Sequence, residues 1–227
     1  MASLVGYPRP VGMWRRGALV ALMVMASAAT LLGAGCRGRS TLRDEVMSYF
    51  PANEGFTWVY TGFAEYGHKM SIDRITNTKS PGNVVYEISG AVFDMSDGES
   101  GRDFSFNLEY VFAQDDVRER ILHKDVFPHR IDGLVMLKAP VKEEQKWNFK
   151  AEDGSEVDAR IIRAGKDLDD DLAYCEVEYT TPDASMPDGL YRETRVFKKG
   201  LGVVAFKSTI LPDVEFNYSL TSTSRSR

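Results

Sequence analysis

The sequence predicts a mainly β protein: a single antiparallel sheet of about ten strands curled into an open or half barrel, with an N-terminal signal helix and one short helix. Three observations predict it. Apolar and polar residues alternate along most of the chain after residue 50. Turn-forming pairs recur at a spacing of about 8 to 12 residues. No alternating strand and helix units are present, which argues against a parallel sheet.

The first 35 residues stand apart from this pattern. Arg9, Arg15 and Arg16 form a positive segment, and Gly17 to Leu32 is an apolar run of signal-peptide length, short for a membrane span. Small residues then lead to Cys36. The stretch Leu32-Gly33-Ala34-Gly35-Cys36 is similar to the lipobox of bacterial lipoproteins, although Gly33 stands where that motif usually has leucine. This predicts a lipoprotein signal peptide over 1–35, acylation of Cys36 and a tether over 36–41. Beyond these lie a β domain over 42–220 and a flexible tail over 221–227.

Charge and cysteine usage agree with export. Residues 1–35 carry three arginines and no acids, so 25 basic and 33 acidic residues remain, a net charge of about −8. Such a surface excludes nucleic acid as a partner and leaves the acyl chain as the means of membrane attachment. Cys175 is the only other cysteine, so with Cys36 acylated no intrachain disulfide forms. It shares a strand face with Ala173, Val177 and Tyr179, as a small buried side chain would.

The elements follow in order. Leu42 to Phe50 reads as a short helix, capped by Thr41 with Asp44 and Glu45 in its first turn and stopped by Pro51. Gly55 then turns the chain into a strand that places Phe56, Trp58 and Tyr60 on one face. Tyr66–Thr76 and Val84–Phe93 follow. Next comes the clearest strand of all, with Phe104, Phe106, Leu108, Tyr110 and Phe112 on one side and mostly polar groups on the other. Further strands are expected at 117–123, 134–138, 147–149, 157–164, 172–179, 190–197, 203–210 and 214–220. Asp97-Gly98, Asp153-Gly154, Asp188-Gly189 and Lys199-Gly200 supply turns.

An internal echo runs through this pattern. Pro51, Glu54, Trp58 and Tyr60 recur at identical spacing as Pro140, Glu143, Trp147 and Phe149, which hints at two similar halves. Phe56, Trp58, Tyr60, Trp147 and Phe149 are the expected core anchors. The opening Y-F-P-x-x-x-G-x-x-W-x-Y at Tyr49–Tyr60 and the hairpin Phe197–Val204, with its K-G-x-G-x-V, resemble a loose group of exported bacterial lipoproteins of unassigned function. That resemblance implies an open antiparallel barrel like those of lipid carriers and lipocalins, and brings no catalytic residue with it.

Candidate chemistry is sparse. His123, Asp125 and His129 could supply ligands to zinc, but their spacing fits no short ligand motif and solvated loop histidines are the simpler account. Asp167, Asp169, Asp170 and Asp171, and separately Asp94, Asp97, Glu99 and Asp103, have the residue types for calcium without the spacing of a twelve-residue loop. No nucleophile elbow or phosphate-binding loop is present. Neither a catalytic residue, a metal nor a cofactor is therefore assigned.

The functional expectation is a non-catalytic lipoprotein on the extracytoplasmic side of the cell envelope, anchored in a membrane by its lipid. Its curved aromatic face, lined by Phe104, Phe106, Leu108, Tyr110 and Phe112, would bind an apolar small molecule or lipid. The alternatives are an envelope assembly or surface-interaction module, and a hydrolase using His123 or His129.

Overall fold

The computed structural model describes residues 42–62, 66–79, 82–95, 104–125, 129–211 and 214–225. Residues 42–47 form a helix, α1. Twelve strands follow: β1 (Phe56–Gly62), β2 (Tyr66–Asn77), β3 (Val84–Asp94), β4 (Phe104–Phe112), β5 (Asp116–Lys124), β6 (Leu134–Lys138), β7 (Lys146–Lys150), β8 (Glu156–Lys166), β9 (Ala173–Pro182), β10 (Leu190–Lys198), β11 (Gly202–Leu211) and β12 (Val214–Arg225). The signal segment, Cys36 and Thr41 lie outside the described residues, as do Asp97, Glu99 and Asp103.

All twelve strands belong to one antiparallel sheet in the order β6-β5-β4-β3-β2-β1-β12-β11-β10-β9-β8-β7. The sheet curls into a nearly closed barrel whose two ends, β6 and β7, are not paired with each other. Alternation sets the inside and outside, as in β4, where Phe106, Leu108, Tyr110 and Phe112 are buried while Ser105 and Asn107 are exposed.

The structure has twelve strands where about ten were expected, and each matches one of the segments named above. β6 reads Leu-Val-Met-Leu-Lys with no alternation, because its first four residues are buried on both faces. Its unpaired side is covered by side chains instead. The Trp147 indole donates to the Val135 carbonyl at 3.1 Å, and the Tyr179 hydroxyl donates to that of Met136.

The proposed tail over 221–227 is corrected in part. Thr221 to Arg225 complete β12, laddering with β1 from Phe56↔Arg225 onward, and Thr221 Oγ1 donates to Val59 O at 2.9 Å. Their side chains are exposed, so backbone pairing holds the segment and apolar patterning gives no sign of it.

One end of the barrel is stoppered by α1 and the turn after it. The Phe50 ring packs edge-on against Tyr110 at 5.6 Å and Phe112 at 5.2 Å, and lies 6.0 Å from Phe197. The carbonyls of Ser48 and Tyr49 accept from Gly200 and Gly202 at 2.9 and 2.7 Å. These two glycines take φ of 76° and 80°, a backbone conformation that other residues rarely adopt, and Gly202 lies against Phe50 and Trp58. The K-G-x-G-x-V hairpin is thus the latch for the opening segment, completed by Trp58 Nε1 donating to Leu201 O at 2.6 Å.

The echo in the sequence proves to be geometric. β1–β6 and β7–β12 are each a six-strand meander, and the two recurring stretches begin β1 and β7. An offset of 89 residues carries β1–β3 onto β7–β9. Gly55 and Glu144 both take positive φ, 72° and 67°. Gly55 N donates to Ile72 O at 2.7 Å, as Glu144 N does to Ile161 O at 2.9 Å. Trp58 faces Met70 as Trp147 faces Ala159. Register slips between Ile72 and Arg74, and again between Ile161 and Arg163. After each slip an arginine pairs with a glutamate on the next strand, Arg74 with Glu87 and Arg163 with Glu176.

Candidate functional site

The barrel interior differs sharply between its halves. In the first, Phe106 and Leu108 on β4 face Gly90 and Ile88 of β3. Glu193 and Arg195 on β10 occupy the equivalent places, facing Tyr179 and Val177 of β9. Both point inward, and a buried ionic network forms around them.

Arg195 is fully buried. Its Nε donates to Glu193 Oε1 at 2.9 Å, and its Nη1 donates to Glu119 Oε1, across the barrel on β5, at 3.1 Å. Tyr191 donates its hydroxyl to the second Glu193 oxygen at 2.9 Å. Below the guanidinium lie the rings of Phe206 and Tyr179, 5.5 and 5.9 Å from it.

His129 joins the cluster from the segment before β6. Its Nδ1 lies 2.9 and 3.0 Å from the two Glu119 oxygens, and its Nε2 is bonded to the Tyr218 hydroxyl of β12. A carboxylate can only accept, so Nδ1–H donates to Glu119 and the bare Nε2 accepts from Tyr218. Tyr218 in turn stacks on Phe206 at 4.8 Å, nearly parallel.

Burial and partners compete for each charge. Burial alone would raise the Glu119 pKa, but Arg195 and His129 outweigh it and hold the carboxyl down to about 2. Burial lowers that of His129 with help from Arg195, against the opposing pull of Glu119. His68, stacked on Tyr60 at 4.5 Å, is pushed down to about 3 by burial and then by His129. The network therefore ties β5, β10, β12 and the His129 segment through charges that are fully enclosed. Its chemistry is that of a cross-brace.

The expected ligand face is occupied by the protein itself. Phe106, Leu108, Tyr110 and Phe112 are at most 1 % exposed, with Phe50 seated against the last two, while Phe104 is half-buried at the strand end. Phe56, Trp58, Tyr60 and Trp147 are buried, and Phe149 is only half-buried beside the open seam.

The loop histidines part company. His123 stays at the surface, 3.5 Å from Asp125, whereas His129 turns inward. The acidic turn over 167–171 is partly neutralised by two lysines: Lys198 Nζ lies 2.8 Å from both Asp167 and Asp170, and Lys166 is 3.1 Å from Asp171. The Cys175 thiol is enclosed, and burial raises its pKa. Sequence reasoning missed Glu119, Glu193 and Arg195. Each is a charge in the inward phase of its strand, between Val117 and Ile121 or between Tyr191 and Phe197, and that phase was the available signal.

The sequence matches no family model and no curated protein. Among solved structures the fold is similar to a candidate exported protein with a YmcC-like fold from Bacteroides fragilis, with TM-score 0.50, 10% identity, and coverage of 78% of this chain and 98% of that one. A candidate lipoprotein from Parabacteroides distasonis also aligns, with TM-score 0.45 and 11% identity over the same shares of the two chains. At these identities the likeness concerns architecture.

Proposed function

We propose that the chain is a non-catalytic lipoprotein of the cell envelope, and that the barrel is a protein-interaction module rather than a carrier. Residues 1–35 direct export, Cys36 takes the acyl chain, and residues 36–41 hold the barrel on the extracytoplasmic side of the membrane. One observation carries the choice between module and carrier. The inward face of β4, where an apolar ligand would sit, is packed against Phe50 and shut off from solvent. Surfaces left for work are therefore the outer face, the loops and the open seam.

The apolar-ligand reading requires the Phe50 stopper to withdraw, and native mass spectrometry of the purified protein tests it. The expected result is the mass of the acylated chain alone; a co-purifying apolar adduct would favour a carrier. Anchoring is tested separately by labelling cells with a palmitate analogue. Label should enter the wild-type chain and be absent from Cys36→Ser, and an unlabelled wild-type chain would refute the anchor.

A further inference from the structure

The internal repeat exposes a difference between two edges that should be alike. β7 pairs with β8 in the same register in which β1 pairs with β2, yet β1 receives β12 on its other side and β7 receives no strand among the described residues. We propose that the free edge of β7 docks one extended strand of a partner protein, running antiparallel and carrying acidic side chains at alternate positions. This rests on the interaction-module reading above.

The backbone on that edge is available. Glu144 N donates to Ile161 O, Ile161 N to Gln145 O, and Ala151 N to Ser155 O, so the odd-numbered residues of β7 bond inward to β8. By the alternation of an antiparallel ladder, the N–H and C=O groups of Lys146, Asn148 and Lys150 then point away from the sheet. Their counterparts Thr57, Val59 and Thr61 face Ser224, Ser222 and Ser219 of β12. β6, which would close the ring, has carbonyls that accept from the Trp147 and Tyr179 side chains. Next to the edge, across β7, β8 and β9, lies a surface groove of about 520 Å³, lined in part by Lys146, Asn148, Asp158, Arg160, Glu178 and Thr180.

Charge selects the occupant. Lys146, Asn148 and Lys150 are exposed, and neither lysine forms an ion pair among the described residues. A second copy pairing antiparallel about Asn148 would set Lys146 against Lys150 of its mate, and like charges directly opposite are destabilising. A strand bearing carboxylates at those places is favoured instead, and its backbone would supply the affinity of strand addition.

Selection of a displayed random-heptapeptide library on the intact chain tests this, followed by amide hydrogen exchange with the selected peptides. Enriched peptides should carry Asp or Glu at alternate positions and slow exchange at Lys146, Asn148 and Lys150. Asn148→Pro removes an outward N–H that β8 does not use, so it should weaken binding by about tenfold or more while the melting temperature holds. Lys146→Glu with Lys150→Glu should turn the selection towards basic peptides. The proposal falls if no peptide is enriched, if binding leaves those amides unprotected, or if Asn148→Pro binds unchanged. It falls equally if the edge forms a dimer that Asn148→Pro abolishes. Failure of the lipoprotein reading would show as an unlabelled Cys36 or an apolar adduct, neither of which this selection reads.

Discussion

The two six-strand halves share a scaffold and diverge in two places. Inside, Phe106 and Leu108 of the first half become Glu193 and Arg195 in the second. At the edge, β1 is covered by β12 while the matching side of β7 has no strand among the described residues. The strand pairings, the positive-φ turns and the bulges survive both changes, so the scaffold is set by backbone register, and the interior can be filled with rings or with charges. Charges are the harder filling, because a buried ion pair must recover the desolvation of both partners.

The largest effect expected from breaking this comparison is at Arg195. Arg195→Leu restores the first half's residue but strands Glu119 and Glu193, and should cost about 3–5 kcal/mol. The triple variant Glu119→Leu, Glu193→Phe, Arg195→Leu removes every charge at once and should cost less than the single change. Chemical denaturation of both decides it; a triple variant less stable than the single would mean that the charges stabilise beyond their mutual pairing.

The two tryptophans come next. Trp58→Ala should cost roughly 3–5 kcal/mol, and Trp147→Ala should fall at the low end of that range, because Trp147 borders the open seam. Equal losses in thermal melts would show the seam to be packed as tightly as the closed junction.

Acid should act through His68. Folding depresses its pKa to about 3, so the unfolded chain takes up a proton below about pH 6.5 that the barrel refuses. Stability is therefore complete above that pH and declines as pH falls towards 3, by roughly 2 kcal/mol at pH 5 from this group alone. His129, lowered in the same direction, adds to the decline. His68→Phe should flatten the loss between pH 7 and 5 in urea titrations; an unchanged slope would assign it elsewhere.

The smallest effects concern the matched turns. Gly55→Ala should cost about 1 kcal/mol and Glu144→Gly should gain up to about 1 kcal/mol, since both positions need positive φ. The Glu144–Arg160 pair is exposed and offsets little of that gain.

Much of the architecture was legible in advance. The alternation in β4 marked its inward face, the Pro-Glu-Trp echo marked the start of each meander, and the glycines at 200 and 202 marked a hairpin. β6 was legible as a strand but not as one buried on both faces, and the last turn of β12 was hidden because Ser and Thr side chains give no apolar phase. The ionic network was half-legible, as charges in phase with Tyr191, Phe197 and Val117.

By itself the sequence determined the fold class, the inward face of each strand and the repeat, because side-chain period and turn chemistry are local properties of the chain. Tertiary structure alone decided which strands meet. It brought Glu119 to Arg195 across 76 positions, folded Phe50 over the aromatic face and, among the described residues, left β7 with a strand on one side alone. Such outcomes depend on how a curled sheet closes, and closure is a property of all twelve strands together.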